Sequence, residues 1–252
     1  MLYFFNPFSN LFEFVKGLIS KEDVEKLDVD TINEKIVDDF YYDDFKWQKE
    51  RGIRIADKNR ADGLDKVLYK CPHCKTEFMM ESNGTKLHCK CCDKTWEMTE
   101  FGELIGDNET EFSHIPDWYE WERDCVREEI NNGTYSSGIL EVQVDSLPNA
   151  KGYIDLGNGT MIHDMNGFKV NVKSKNNEEY EMIKDVPSLY SVHVEYNYLF
   201  THGDCVDLNT LEDTWYCYPE GKFAVTKMAL ATEELYFNYM KKIGKKLPKG
   251  MA

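Results

Sequence analysis

Apolar side chains recur at helical spacing through the first 65 residues. Leu11, Phe14, Val15, Leu18 and Ile19 follow a Ser9 or Asn10 cap, and Val29, Ile32, Ile36 and Phe40 make a second stripe. Steps of three and four put such residues on one helix face, which ordinarily packs on a core. Phe4, Phe5, Phe8, Phe12 and Phe14 give the first stripe a second reading, an aromatic helix lying on a membrane surface. From 66 to 98 the pattern shortens to small β elements. Thr76 to Glu81 alternates like a strand, Ser82-Asn-Gly-Thr85 is a hairpin turn, and Lys94 to Met98 closes as another strand. Residues 113 to 130 return to helical spacing, with Pro116 at the first helical position and Asn132-Gly133 past the end. Trp118, Trp121 and Cys125 form one stripe of that helix and Tyr119, Val126 and Ile130 another, both suited to core or interdomain packing.

Beyond residue 138 the period falls to about two. Seven strands are expected, at 139–144, 160–163, 168–172, 179–183, 190–196, 205–208 and 214–218, with Asn158-Gly, Asn166-Gly, Asn176-Asn and Glu212-Asp-Thr as connections. A helix from Val225 to Ile243 follows, presenting Leu235, Tyr236, Tyr239, Met240 and Ile243 on one face and capped by Gly244. Seven antiparallel strands closed by a helix is the arrangement of pleckstrin-homology-like and GRAM-like domains, a likeness of architecture that fixes no function.

The chain therefore reads as α+β in four parts: a helical lead-in (1–65), a metal ribbon (66–98), a linking helix (99–137) and an antiparallel β domain with a C-terminal helix (138–252). Its 252 residues carry 30 basic and 46 acidic side chains, a net charge of −16, and 42% are hydrophobic, which is globular composition. Acid is densest in 99–137, with 11 acidic residues against 2 basic, and only 66–98 is basic, with 6 against 4. A surface this negative argues against broad nucleic-acid binding. The opening segment lacks a basic lead and is broken by Pro7 and Glu13, so it makes a poor signal peptide. The expected location is the cytoplasm, where eight cysteines are thiols or metal ligands rather than disulfides.

Cys71-Pro-His-Cys74 and Cys89-Lys-Cys-Cys92 carry the clearest chemistry. Two residues between cysteines let the backbone fold into a knuckle that aims both sulfurs at one point, and the intervening hairpin brings the two knuckles together around a tetrahedral ion. Zn²⁺ suits four thiolates best, with iron in a rubredoxin-like site as its competitor. Four protein ligands leave no open position, so the expected role is structural. His88 with Cys91 has the same spacing as Cys89 with Cys92, but the matched pairs favour Cys89 and Cys92 and leave Cys91 spare; His73 is expected to face solvent. Lys66, Lys70, Lys75, Lys86, Lys90 and Lys94 are placed to soften the −2 charge of a zinc tetrathiolate. The glycines usual after each second cysteine are replaced by Lys75 and Asp93.

His202 and Asp207 have the His-x-x-x-x-Asp spacing of an acyltransferase general-base dyad, but they straddle a turn and a strand and lack a phosphate-binding partner motif, so no catalytic residue is assigned. Asp204, Asp207, Glu212 and Asp213 lack calcium-loop spacing and read as solvated loops. Lys241, Lys242, Lys245, Lys246 and Lys249 make a basic C-terminus that complements the helix dipole or touches anionic lipid.

The wording of 59–74 (NRADGLDKVLYKCPHC), 112–123 (FSHIPDWYEWER) and 144–152 (VDSLPNAKG) resembles the portion that follows the catalytic domain in certain bacterial phospholipid/glycerol acyltransferases, the 1-acylglycerol-3-phosphate acyltransferases. The resemblance covers roughly residues 30 to 240. It implies an accessory role in glycerophospholipid acylation, with an acyltransferase catalytic domain or acyl carrier as partner and possible contact with the inner membrane face. The family's catalytic His and Asp have no matching segment here, which points to a separated or split gene product. The competing readings are an acyltransferase that acts on lysophosphatidic acid in its own right and a nucleic-acid-binding ribbon.

Overall fold

The computed structural model describes residues 19–148, 152–198 and 203–245. It is α+β, with a four-stranded ribbon sheet, a curled seven-stranded half-barrel and six helices among the described residues.

The helices α1 (Lys21–Val24), α2 (Val29–Phe40) and α3 (Asp44–Glu50) begin at Ser20, Asp28 and Asp43, whose side chains accept the backbone N–H three residues on. The stripe of Val29, Ile32, Ile36 and Phe40 does form α2, but no residue of that helix is buried and Phe40 is 77% exposed. Periodicity identifies the apolar face of a helix without supplying a partner for it. Docking falls instead to α3. Phe45 packs on the ribbon core, Asp43 bonds His114 at 2.8 Å, and Gln48 donates to the Glu100 carbonyl at 3.2 Å. The first stripe, Leu11 to Leu18, lies outside the described residues.

The ribbon follows a short helix α4 (Leu64–Val67) and runs in the order β1 (Met80–Asn83), β2 (Lys86–Cys89), β3 (Thr95–Met98), β4 (Leu104–Gly106), antiparallel throughout. Asn83 pairs with Lys86, and Gly84 supplies the positive φ that the hairpin needs. Leu87 faces Trp96 across β2 and β3, both fully buried, while Glu97 points to solvent. The sequence pattern missed β4, which carries the sheet past residue 98.

The long helix α5 (Ile115–Asn131) has Pro116 at its second rather than its first position, and Gly133 ends it at φ 70°. Its two stripes serve two neighbours. Ile115 and Trp118 join the ribbon core, Trp118 meeting Trp96 at 5.0 Å between ring centroids, whereas Val126 and Ile130 pack with Leu230, Ala231 and Leu235 of the C-terminal helix α6 (Val225–Lys242).

All seven expected strands are present: β5 (Leu140–Ser146), β6 (Ile154–Asp164), β7 (Gly167–Lys173), β8 (Glu179–Asp185), β9 (His193–Glu195), β10 (Cys205–Asn209) and β11 (Thr214–Pro219). They form one sheet in the order β8-β7-β6-β5-β11-β10-β9, two antiparallel meanders joined where β5 pairs with β11. Alternate residues Phe168, Val170 and Val172 of β7, Val206 and Leu208 of β10, and Trp215 and Cys217 of β11 line the core, which Val225 and Met228 of α6 close. The buried part of α6 thus begins at its first turn. Of the expected face only Leu235 is buried, and Ile243 is 45% exposed. Gly244 ends α6 as expected, at φ 69°.

Asn158-Gly159 is not a turn. It lies inside β6, paired with β5 on one side and β7 on the other. A Cβ on Gly159 would stand 1.9 Å from the Asn171 carbonyl oxygen, so glycine is required there by close backbone approach. Gly157, at φ 110°, is paired with Val144 where the register shifts between Val144 and Asp145.

Ionic contacts lock ribbon, α5 and α6 together. Lys227 on α6, only 6% exposed, donates to Glu77 at 2.8 Å and to Glu129 at 2.9 Å. Arg127 binds both oxygens of buried Glu234 at 2.8 and 2.9 Å, and Arg123 holds Glu233 at 2.6 Å.

Candidate metal centre

The sulfurs of Cys71, Cys74, Cys89 and Cys92 all lie within 4.8 Å of one another. Across the cluster Cys71 is 3.8 Å from Cys92, and Cys74 is 3.7 Å from Cys89. Four thiolates at about 2.3 Å from a shared ion stand about 3.8 Å apart, so these two edges match a metal-filled tetrahedron. The described residues contain no other such grouping of His, Cys, Asp or Glu.

The two knuckles repeat the same hydrogen bonds. Lys75 N–H donates to the Cys71 carbonyl and Asp93 N–H to the Cys89 carbonyl, each at 2.9 Å; Cys71 N–H donates to Thr76 and Cys89 N–H to Lys94, again each at 2.9 Å. Lys75 and Asp93 occupy the left-handed region at φ 64° and 59°. The backbone that usually calls on glycine is therefore kept, and two side chains tolerate it. Cys71 and Cys89 are buried in one core with Leu87 and Trp118, and Cys74 and Cys92 are half-buried.

Burial pushes the thiols of Cys71 and Cys92 up. Burial also pushes Cys74 up, but hydrogen bonds from the Thr76 hydroxyl and amide and from neighbouring thiols outweigh it and bring this thiol down to about 6. One ligand poised as a thiolate gives a cation a first foothold, and its charge then favours ionisation of the rest.

Most of the lysines expected to soften the tetrathiolate charge are engaged elsewhere. Lys66 binds Asp204 at 2.5 Å, Lys70 Glu77 at 3.1 Å, Lys90 Glu81 at 3.0 Å and Lys94 Glu111 at 2.6 Å. Lys75 donates to the Pro72 carbonyl at 2.6 Å inside the first knuckle and lies 4.7 Å over Trp121. Glu111 also accepts from Trp96 and contacts His73 Nδ1 at 3.1 Å. Burial pushes its carboxyl up, but Lys94 and His73 hold it below the ordinary carboxylate range. His73 is exposed and outside the sulfur cluster, as expected. His88 and Cys91 are likewise not part of it.

Spacing gave no sign of how the centre is anchored. Both backbone groups of Lys70, the residue before Cys71, are held by α5: its N–H donates to Glu122 Oε1 at 2.7 Å and its carbonyl accepts from Trp118 Nε1 at 3.0 Å. Glu122 is fully buried, its Oε2 has no partner, and burial pushes its carboxyl well above the ordinary range.

His202 lies outside the described residues. Asp207 sits on β10 between His193 and Tyr216, accepts from the Cys205 thiol at 3.5 Å, and is pushed up to about 6 by burial. The other acids of that region are dispersed. Asp204 holds Lys66 on the ribbon side, and Asp213 accepts from Ser146 and Trp215. Lys241 and Lys242 are exposed in the last turn of α6 and Lys245 is exposed just after it, while Lys246 and Lys249 lie outside the described residues. No helix among the described residues is long and apolar enough to cross a membrane.

The chain matches no protein-family model, no curated protein and no solved structure. The four-cysteine cluster is a site that can hold a metal ion, and its donor set and dimensions fit one.

Proposed function

We propose that the chain is a non-catalytic accessory module for glycerophospholipid acylation, in which Cys71, Cys74, Cys89 and Cys92 hold one structural Zn²⁺. The four-sulfur geometry carries the metal half of this reading: the protein supplies every corner of the tetrahedron, which leaves none for a substrate. An all-thiolate donor set favours zinc over harder ions. The anchoring of the knuckles in the core shared with α5 supports a scaffolding role, since the ion would hold a surface together rather than sit in a cleft. The acylation half rests on the resemblance of 59–74, 112–123 and 144–152 to the region that follows an acyltransferase catalytic domain. On this reading the partner is that catalytic domain or its acyl carrier, and the lysines at the end of α6 are available to anionic lipid.

Two measurements test the two halves separately. Elemental analysis is expected to give one zinc per chain, and a folded, metal-free protein refutes the first half. For the second, the chain alone is expected to leave lysophosphatidic acid unacylated yet to bind a 1-acylglycerol-3-phosphate acyltransferase catalytic domain. Turnover by the chain alone, or failure to bind, refutes it. Vesicle co-sedimentation indifferent to anionic lipid removes the membrane contact.

A further inference from the structure

Thr76, Glu77, Phe78 and Met79 run from the first knuckle to β1, and the two ends of this stretch are pinned to different knuckles. The Thr76 carbonyl accepts the Cys71 N–H at 2.9 Å. The Met79 carbonyl accepts the N–H of Lys90, between Cys89 and Cys92, also at 2.9 Å. A shift of either knuckle therefore pulls on the same four residues. The middle pair reaches α6. Glu77 accepts from Lys70 at 3.1 Å and from Lys227 of α6 at 2.8 Å. Phe78 donates its N–H to the Tyr69 carbonyl at 2.8 Å; its ring stacks on Tyr69 at 5.6 Å and packs on Phe223 at 4.9 Å between centroids, with Lys227 Nζ 5.9 Å away. Phe78 holds φ 59°, a conformation that a bulky side chain keeps only where its surroundings over-determine it. Lys227 stands in the first turn of α6 with Val225 and Met228, which close the half-barrel core, and Phe223 packs against that core too.

We propose that Glu77 and Phe78 couple the four-cysteine site to α6, so that an ion at the sulfurs steadies the first two turns of that helix and its loss loosens them. This rests on reading the cluster as a metal site and gives that site an output beyond the ribbon: its occupancy sets how firmly α6 closes the half-barrel. Linkage makes the coupling reciprocal. Whatever ion binding contributes to seating α6, a seated α6 contributes equally to ion binding. Residues that touch no sulfur then alter metal affinity.

A second tie between the same two parts serves as the comparison. Lys66 of α4 precedes both knuckles in the chain; its carbonyl accepts from Thr226 of α6 and its ammonium binds Asp204, each at 2.5 Å. If any contact between ribbon and half-barrel supported the metal site, breaking this one would weaken it as much as breaking the contacts of Glu77 and Phe78.

The test uses the full chain. Hydrogen-exchange mass spectrometry compares the zinc-loaded protein with the protein after chelation, and competition with a chromogenic chelator gives the zinc affinity of variants. Chelation is expected to speed exchange across 225–231 at least about fivefold while β5 to β8 stay protected. Lys227→Met is expected to weaken zinc binding about tenfold and Phe223→Leu about threefold, whereas Asp204→Asn changes it less than about twofold. Phe223→Leu is the milder change and decides the matter if Lys227→Met does not fold. Wild-type affinity in Phe223→Leu, an Asp204→Asn loss as large as that of Lys227→Met, or exchange that quickens equally in 225–231 and in β5 to β8 overturns the proposal. Zinc binding with 225–231 indifferent to chelation overturns the coupling alone, and a chain that binds no zinc overturns the metal reading and the coupling together.

Discussion

The ribbon has strands of only three or four residues, and its core gathers Leu87, Trp96 and Met98 with residues lent by α4 and α5 and with the sulfur ligands themselves. The half-barrel has strands of up to eleven residues and closes a continuous core of Val142, Val144, Met161, Phe168, Val170, Val206, Leu208 and Trp215 on α6. Short strands bury little apolar surface to offset the entropy of ordering them, and an ion held by the four cysteines would supply the difference. A curled sheet of seven strands has no such need. The contrast teaches that one chain can set a four-cysteine site able to hold an ion beside a purely hydrophobic core, with α5 packed against both.

The sharpest way to break this contrast is to strip the metal. Chelation, or Cys89→Ser, is expected to remove binding energy on the order of 10 kcal/mol from the ribbon. In hydrogen-exchange mass spectrometry, residues 69–106 should lose protection while β5 to β8 keep theirs. Equal loss in both regions would show that the half-barrel depends on the ion too. Trp118→Ala comes next. It empties a fully buried site between Trp96 and the Lys70 carbonyl, and about 3–5 kcal/mol of stability should disappear in a denaturant titration.

How far these contrasts could be read from sequence differs by region. Strand β7 was legible because alternate residues are buried, which imposes a period of two, whereas β9 has no buried residue and β10 is buried from Cys205 to Leu208, so their limits came from the turn signals beside them. Asn158-Gly159 misled because the same dipeptide serves a hairpin and a crowded strand, and only the partner backbone distinguishes them. That Cys71, Cys74, Cys89 and Cys92 would come together was legible from spacing alone. Strand β4 was not, since three residues among acidic neighbours carry no periodic signal. Nor was the hold of Glu122 and Trp118 on Lys70, which spans about fifty residues of sequence and exists only after packing.

Two smaller effects sharpen the comparison within the ribbon. Asp93→Gly removes a left-handed strain from the second knuckle and should raise the melting point by an amount equivalent to about 1 kcal/mol, in calorimetry of the metal-loaded chain. Glu122→Gln should act only at one end of the pH range. The folded protein holds this carboxyl well above its ordinary value near 4.5, so the wild type loses stability as pH rises beyond that value, whereas glutamine does not titrate. Melting points should agree near pH 4 and separate toward pH 8, with the glutamine variant higher. Parallel curves at every pH would mean that Glu122 is not held protonated.

The grip of α5 on both sides of the Lys70 peptide bears on any attempt to excise the cysteine-rich unit. A fragment of 66–98 would keep the four clustered sulfurs yet lose Ile115, Trp118, Leu104 and Leu64, which share their core, along with the indole and carboxyl that fix the entry to Cys71. Such a peptide would capture ions from solution and still not reproduce the native surface. The smallest piece worth expressing ends no earlier than Asn131.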